Sequence, residues 1–220
     1  MNTALTPRVC NSTLRIQHDK DTGTGFFFYY EGIILFATCF HLGGNRLTHA
    51  NPLKFWKDGK FQPFDMEWFS VMPEHDTVII KPASKMIGRL RNEPLPGVNS
   101  SMIIGEWAKF PGFPRMPKIP LVTNVEQVEW PTRTDDVLSG LAIPVVKKAS
   151  LAFIYPNSSL ILLDGHNSMG FSGSPIMTEA DNIHAITRGF VIDKKGQNIG
   201  LIMAHRLSAI LDTLKNSVRF

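Results

Sequence analysis

Gly170-Phe171-Ser172-Gly173-Ser174-Pro175 is the stretch on which the reading of this 220-residue chain turns. A serine between glycines on a tight turn is what an exposed nucleophile needs. The small neighbours let a substrate and the backbone approach closely, and consecutive N–H groups can point at a developing oxyanion. An ordinary Gly/Ser-rich turn is the plain alternative for the hexapeptide alone. The nucleophile elbow of α/β-hydrolases is excluded, because it needs glycine where Ser174 stands and a strand–turn–helix setting.

A serine hydroxyl is a weak nucleophile without a base. Of seven histidines, His41 directly follows the apolar stretch Gly32 to Phe40. It therefore belongs at a strand end, where a scaffold can fix a catalytic side chain. The base must in turn be oriented by an acceptor on its other ring nitrogen. Asp76 immediately precedes Thr77-Val78-Ile79-Ile80, a buried-looking strand. Taken singly, each is equally a strand-terminal or capping residue. Taken together they stand in the order His, Asp, Ser, at intervals of 35 (76 − 41) and 96 (172 − 76) residues. That order separates this arrangement from the other known triad orders.

Around these residues the chain reads as mostly β. Short apolar stretches recur at 24–30, 33–40, 78–80, 102–104, 121–128, 141–146, 151–155, 160–163, 186–192 and 200–204. Turn-forming pieces separate them: Asp21-Thr22-Gly23, Lys57-Asp58-Gly59, Pro156-Asn157 and Lys194-Lys195-Gly196. From Arg206 onward, Leu207, Ile210, Leu211, Leu214 and Val218 form one face of an amphipathic helix, expected to dock onto the barrel before it. Between Pro82 and Ser101 the chain turns polar and irregular, the best candidate for a linker. The many short strands point to an all-β sandwich or barrel, and each half is long enough for one small barrel. Residues 1–92 would carry His41 and Asp76, and 93–220 would carry Ser172 and the helix.

With these motifs in place the sequence resembles the trypsin/chymotrypsin-like serine peptidases, closest to their disulfide-free bacterial, Deg-type branch. Gly23-Thr24-Gly25-Phe26-Phe27 resembles the opening strand of that family, and Ile34 to Leu42 its histidine motif. His75 to Ile80 resembles its aspartate motif and Gly170 to Pro175 its serine motif. Gly112-Phe113-Pro114 resembles the turn that opens the second barrel. Asn198 to Ile202 resembles a strand after the nucleophile that lines the cleft. Phe40 departs from the family, which has a small residue there.

The resemblance implies two six-stranded barrels with the site in the cleft between them, and a C-terminal helix. It also implies a serine endopeptidase acting on protein or peptide substrates. Ser172 would attack the scissile carbonyl, His41 would relay the proton, and Asp76 would orient the imidazolium. The N–H groups of Gly170 and Ser172 would form the oxyanion hole. His166, six residues before the nucleophile, would lie at the base of the specificity pocket, with Ile202 and Ala204 on its wall and His205 near its mouth. Cleavage after an apolar or acidic residue follows, without preference for Arg or Lys. Phe171 stands where trypsin-like zymogens have an acid that pairs with a newly cut N-terminus, so no such lock is expected. Two readings of activation stay open: loops around Met169-Gly170 ordered by substrate or an activating protein partner, or a site formed constitutively.

Composition narrows the rest. Apolar residues make up 43% and charged residues 19%, which excludes disorder and collagen-like folds. Cys10 and Cys39 are the only cysteines, too few for a disulfide framework or a cysteine-built zinc site. Asp164 and His166 lack further zinc ligands at sensible spacing, and no metal or cofactor is expected. The net charge of +4 is scattered, and its densest run, Lys81, Lys85, Arg89 and Arg91, is interrupted, so no nucleic-acid partner is expected. No apolar stretch approaches the ~20 residues of a membrane span, and residues 1–13 lack the apolar core of a secretory leader. The expectation is a cytoplasmic protein with His75, His49 and His184 on its surface. A catalytically inactive binding module of the same fold and a viral polyprotein-processing peptidase are the competing readings.

Overall fold

The computed structural model describes residues 7–89, 94–98, 101–113, 144–178 and 181–217. After a short helix, α1 (Pro7–Ser12), seven strands follow: β1 (Thr13–His18), β2 (Asp21–Tyr30), β3 (Ile33–Cys39), β4 (Lys54–Lys57), β5 (Lys60–Pro63), β6 (Met66–Met72) and β7 (Thr77–Pro82). They form one antiparallel sheet in the order β5-β4-β1-β2-β3-β7-β6, curled into a half-barrel. Two hairpins owe their form to local chemistry. Glu31-Gly32 and Lys57-Asp58-Gly59 supply paired positive φ angles, 49° and 81° at Glu31 and Gly32, 50° and 79° at Asp58 and Gly59. That is the two-residue turn whose twist matches the strands it joins.

The second half is a closed six-stranded barrel, β10-β13-β12-β11-β8-β9. Its strands are β8 (Trp107–Gly112), β9 (Val145–Ile154), β10 (Leu160–Asp164), β11 (Pro175–Met177), β12 (Ile183–Ile192) and β13 (Asn198–Arg206). The chain closes on α3 (Leu207–Ser217). The all-β, two-barrel expectation is met, with the first half built as an open seven-stranded sheet rather than a six-stranded closure.

Each half has its own core. Phe27, Phe36, Phe55 and Phe64 pack in the first, with the Phe36 and Phe64 ring centres 4.6 Å apart. Phe110, Leu151, Leu163, Phe171 and Ile202 fill the second. A third cluster joins the halves: Leu207, Ile210, Leu211 and Leu214 of α3 pack with Phe26, Phe28 and Leu35 of the first sheet and Ile183 and Ile186 of the barrel. The apolar stripe of the helix is therefore real, but it seals both halves rather than docking on the second alone. No helix among the described residues is long and apolar enough to cross a membrane.

Several local expectations change. Asp21-Thr22-Gly23 does not turn; it opens β2, and the reversal lies at Asp19, where φ is 51°. Met102 to Ile104 is not a strand: Ile103 and Ile104 are exposed in a loop. β1, β4, β5, β6, β8 and β11 lie outside the apolar stretches of the sequence. Charged or polar residues interrupt β1, β4, β5 and β8, and β11 is only three residues long, while β6 is mostly apolar and carried a readable pattern. The polar connector contains α2 (Ser84–Arg89), then pairs Leu95 with Phe28 of the first sheet and Val98 with Ile183 of the barrel. The stretch 121–128 and Val218 lie outside the described residues.

Candidate active site

β3 and β7 run side by side, with Cys39 opposite Thr77. This register puts the turn after β3 against the turn before β7, and so brings together two residues 35 positions apart. His41 lies in a 3-10 turn, Phe40–Leu42, closed by Gly43 at φ 104°. Gly44 makes room for the bulky Phe40: a Cβ there would come within 2.3 Å of its ring. Asp76 ends the 3-10 turn Pro73–His75 in the left-handed region, φ 47°. An aspartate tolerates that conformation better than most residues, and such strain collects at functional sites.

The strained residue is held at every polar atom. Its N–H donates to the Pro73 carbonyl at 3.0 Å, and its own carbonyl accepts from Phe40 N–H at 2.9 Å. Carboxylate Oδ1 accepts from the His41 backbone N–H at 2.9 Å, and Oδ2 lies 2.7 Å from His41 Nδ1. A carboxylate can only accept, so geometry assigns the ring proton to Nδ1 and leaves Nε2 as a basic lone pair. Asp76 is buried and the His41 side chain is 45% exposed. One ring nitrogen is thus held by a buried carboxylate while nearly half of the side chain remains exposed.

The Ser172 turn is tied to the first sheet through Thr24. Thr24 N–H donates to the Ser172 carbonyl at 2.9 Å, and Thr24 Oγ1 donates to the Gly170 carbonyl at 2.7 Å. The Thr187 carbonyl then takes two donors, Gly173 N–H at 2.8 Å and the Cys39 thiol at 3.0 Å. Cys39 is two residues before His41, so one carbonyl gathers the histidine strand and the serine turn. Gly173 is required here. Its φ is 86°, and a Cβ would fall 2.0 Å from the Thr24 carbonyl oxygen.

Ser168 to Phe171 form a turn closed by Phe171 N–H to the Ser168 carbonyl at 3.3 Å, with Gly170 third at φ 95°. This is the type II geometry that favours glycine in the third place. Neither Gly170 nor Ser172 N–H has an acceptor among the described residues. Lys147, on β9, staples this turn: its ammonium donates to Ser168 Oγ at 3.0 Å and sits 4.7 Å above the Phe171 ring. Burial lowers the pKa of that lysine. No motif marked Lys147, because its partners lie 21 and more residues away.

The expected pocket residues are distributed differently. His166 is exposed and near Gly200. Around it, Gly165 N–H donates to the Gly200 carbonyl at 2.8 Å, Asn198 Nδ2 to the Asn167 carbonyl at 3.0 Å, and Asn167 Nδ2 to the Gly189 carbonyl at 3.4 Å. These bonds tie residues 165–167 to Gly189 and to 198–200, in the segment that leads into the serine turn. Ile202 and Ala204 are not part of it; both are buried in the barrel core. The strand beside the serine turn is β12, with β13 one strand further.

His205 is buried too, not at a pocket mouth. Its Nδ1 lies 2.8 Å from Ser159 Oγ, and its ring centre is 5.8 Å from that of His75. Burial, then the nearby His75 and Arg188, lower its pKa to about 4 against the opposing pull of Asp76. His75 is not a surface residue either: Nδ1 contacts Ser159 Oγ at 3.0 Å and Nε2 contacts Thr213 Oγ1 at 3.1 Å. His184 is buried, while His49 is exposed. Arg188, unmarked by any motif, brings Nε to 3.6 Å from Asp76 Oδ2.

Cys39, His41 and Asp76 place one potential metal-binding atom each within 4.8 Å of the others. Burial and the Asp76 charge push the Cys39 thiol well above its ordinary pKa, so it keeps its proton and donates it to Thr187.

No protein-family model and no curated protein sequence matches the chain. Solved structures do. The Rv3671c protease of M. tuberculosis H37Rv, in an inactive form, superposes with a TM-score of 0.64 at 14% identity, over 98% of this chain and 93% of that one. AlgW, an HtrA-type protease solved with a tripeptide, gives 0.62 at 16% identity, over 94% and 60%. A serine endoprotease from Yersinia pestis gives 0.63 at 11%, over 98% and 67%. The chain has the two-barrel, trypsin-like fold of the HtrA/Deg-type serine proteases.

Proposed function

We propose that this protein is a serine endopeptidase using Ser172, His41 and Asp76. The observation that carries the reading is the double contact of Asp76 with His41, 2.9 Å to its backbone N–H and 2.7 Å to Nδ1. It fixes both the position and the tautomer of an exposed imidazole. Such a device has little purpose unless Nε2 has a proton to accept, and the serine turn is tied to the same strand.

The chemistry follows in balanced steps. Ser172 Oγ bonds to the scissile carbonyl carbon as its proton passes to His41 Nε2. The charge left on the carbonyl oxygen is met by the free N–H groups of Gly170 and Ser172. Losing one such donor typically costs about 10²–10³ in rate. The imidazolium, stabilised by Asp76, returns its proton to the departing amine as the C–N bond breaks. Water then repeats the sequence on the acyl-enzyme, releasing the acid and restoring Ser172. The segment around His166 would meet the side chain of the residue under attack, and the absence of an acid among residues 165–168 and 198–200 argues against Arg or Lys there.

Labelling by a fluorophosphonate tests the reading. The full chain should label on Ser172, and Ser172→Ala and His41→Ala should not, with circular dichroism unchanged. Asp76→Asn should lower kcat by on the order of 10⁴ through the wrong tautomer. Undiminished peptide hydrolysis by Ser172→Ala would end the proposal.

A further inference from the structure

β12 and β13 fall out of step at one residue. Thr187 pairs with Ala204 and Gly189 with Met203, which leaves Arg188 as the extra residue of a β-bulge. A bulge re-aims the side chain it carries. This one brings a guanidinium to the His41–Asp76 pair, with Nε 3.6 Å from Asp76 Oδ2. Both carboxylate oxygens already serve His41, so Arg188 is held at ion-pair rather than hydrogen-bond distance. Its side chain is 48% exposed, and it donates no hydrogen bond to any described residue. An arginine offers five donors in a fork that fits a carboxylate at two points. Here the fork is ion-paired with Asp76 through Nε alone and half exposed, with hydrogen-bonding capacity that the described residues do not use.

The direction of a bound peptide decides what meets it. Side chains alternate along an extended strand. If the residue under attack directs its side chain toward residues 165–168 and 198–200, the residue before it directs its own the opposite way, toward His41 and Arg188. The charged and titratable groups near Arg188 are Asp76 with its partner His41, His205 with its neighbour His75, and the buried Cys39. Asp76 alone would repel an acid there, so a preference for one would be the signature of Arg188.

We propose that Arg188 is a specificity residue, and that it selects substrates with Asp or Glu immediately before the residue whose carbonyl Ser172 attacks. This rests on the serine-peptidase reading above. The carboxylate would take the two free arms of the guanidinium. A neutral side chain would leave them unpaired, and a lysine would be repelled.

The test compares kcat/KM of the full chain on matched fluorogenic peptides with Glu, Gln or Lys at that position, each preparation first titrated with a fluorophosphonate. The wild type should prefer Glu over Gln about tenfold or more, as a charge-assisted pair does. The preference should shrink as ionic strength rises. Arg188→Gln should bring the ratio near one, and Arg188→Glu should reverse it toward Lys. A merely structural pairing with Asp76 would lower kcat on all three peptides alike and leave the ratio intact. Labelled wild type with no charge preference, or a preference that survives Arg188→Gln and disappears in His166→Asn, overturns the proposal alone. Absence of wild-type labelling overturns the peptidase reading and this proposal together.

Discussion

At the scale of single residues, the molecule is organised around positions where only one side chain type works. Asp76 must be small and acidic to bridge two atoms of His41 from a left-handed backbone. Gly173 must lack a Cβ. Lys147 is a less obvious member of this set. Phe171 is fully buried and cannot form the ion pair that orders this turn in zymogens. The lysine serves instead from outside, by one hydrogen bond and one cation–aromatic contact. Such a contact contributes about 0.5–2 kcal/mol. If the proposed mechanism holds, Lys147→Ala should lower kcat about tenfold with KM little changed, because the turn Ser168–Phe171 that carries the Gly170 N–H loosens. Lys147→Arg should restore much of the loss. Equal effects on kcat and KM, or no recovery with arginine, would assign the lysine to general packing.

At the scale of elements, the turn before Asp76 is joined to three others. His75 meets Ser159 from the β9–β10 turn and Thr213 from α3, and Ser159 meets His205 of β13. His205 adds a pH dependence whose sign is fixed. Its pKa falls from 6.5 to about 4 on folding. Between these values the unfolded chain holds the proton and the folded one does not. The neutral ring's contribution is complete above pH 6.5, declines as the pH falls, and is gone below about 4. The loss is about 3 kcal/mol at most, at 1.36 kcal/mol per unit. Urea midpoints should fall between pH 6.5 and 4, and His205→Gln should flatten that part of the profile. An equal slope in the variant would place the titration elsewhere.

At the scale of the whole molecule, one core spans both halves and holds them together. α3 contributes four fully covered apolar residues to a cluster shared by β2, β3 and β12. A core leucine truncated to alanine costs about 2–5 kcal/mol. Leu211→Ala should lower the urea midpoint accordingly. It should also destabilise both halves together, so that tryptophan fluorescence and far-ultraviolet circular dichroism report one transition. Separate transitions would mean that the halves hold themselves apart from the helix. Probe labelling should fade with that same transition, since His41 and Ser172 come from different halves.

The sequence by itself determined the local features. Gly170 to Pro175 specified a tight turn with a serine, the apolar run before His41 a strand end, and the 207–214 stripe a helix, because each depends on residues close in the chain. The order His, Asp, Ser and the alternation of short apolar runs carried the two-barrel fold. What only the tertiary structure decided are contacts between distant residues whose types are ordinary: Lys147 on the serine turn, Arg188 at Asp76, His75 with Ser159 and Thr213. It also moved Ile202, Ala204 and His205 from an expected pocket into buried positions, since strand order and a bulge determine which face a residue takes. A one-residue shift of register exchanges inside for outside. No local pattern encodes that shift, and at Arg188 it turns a charged side chain toward the histidine and the aspartate.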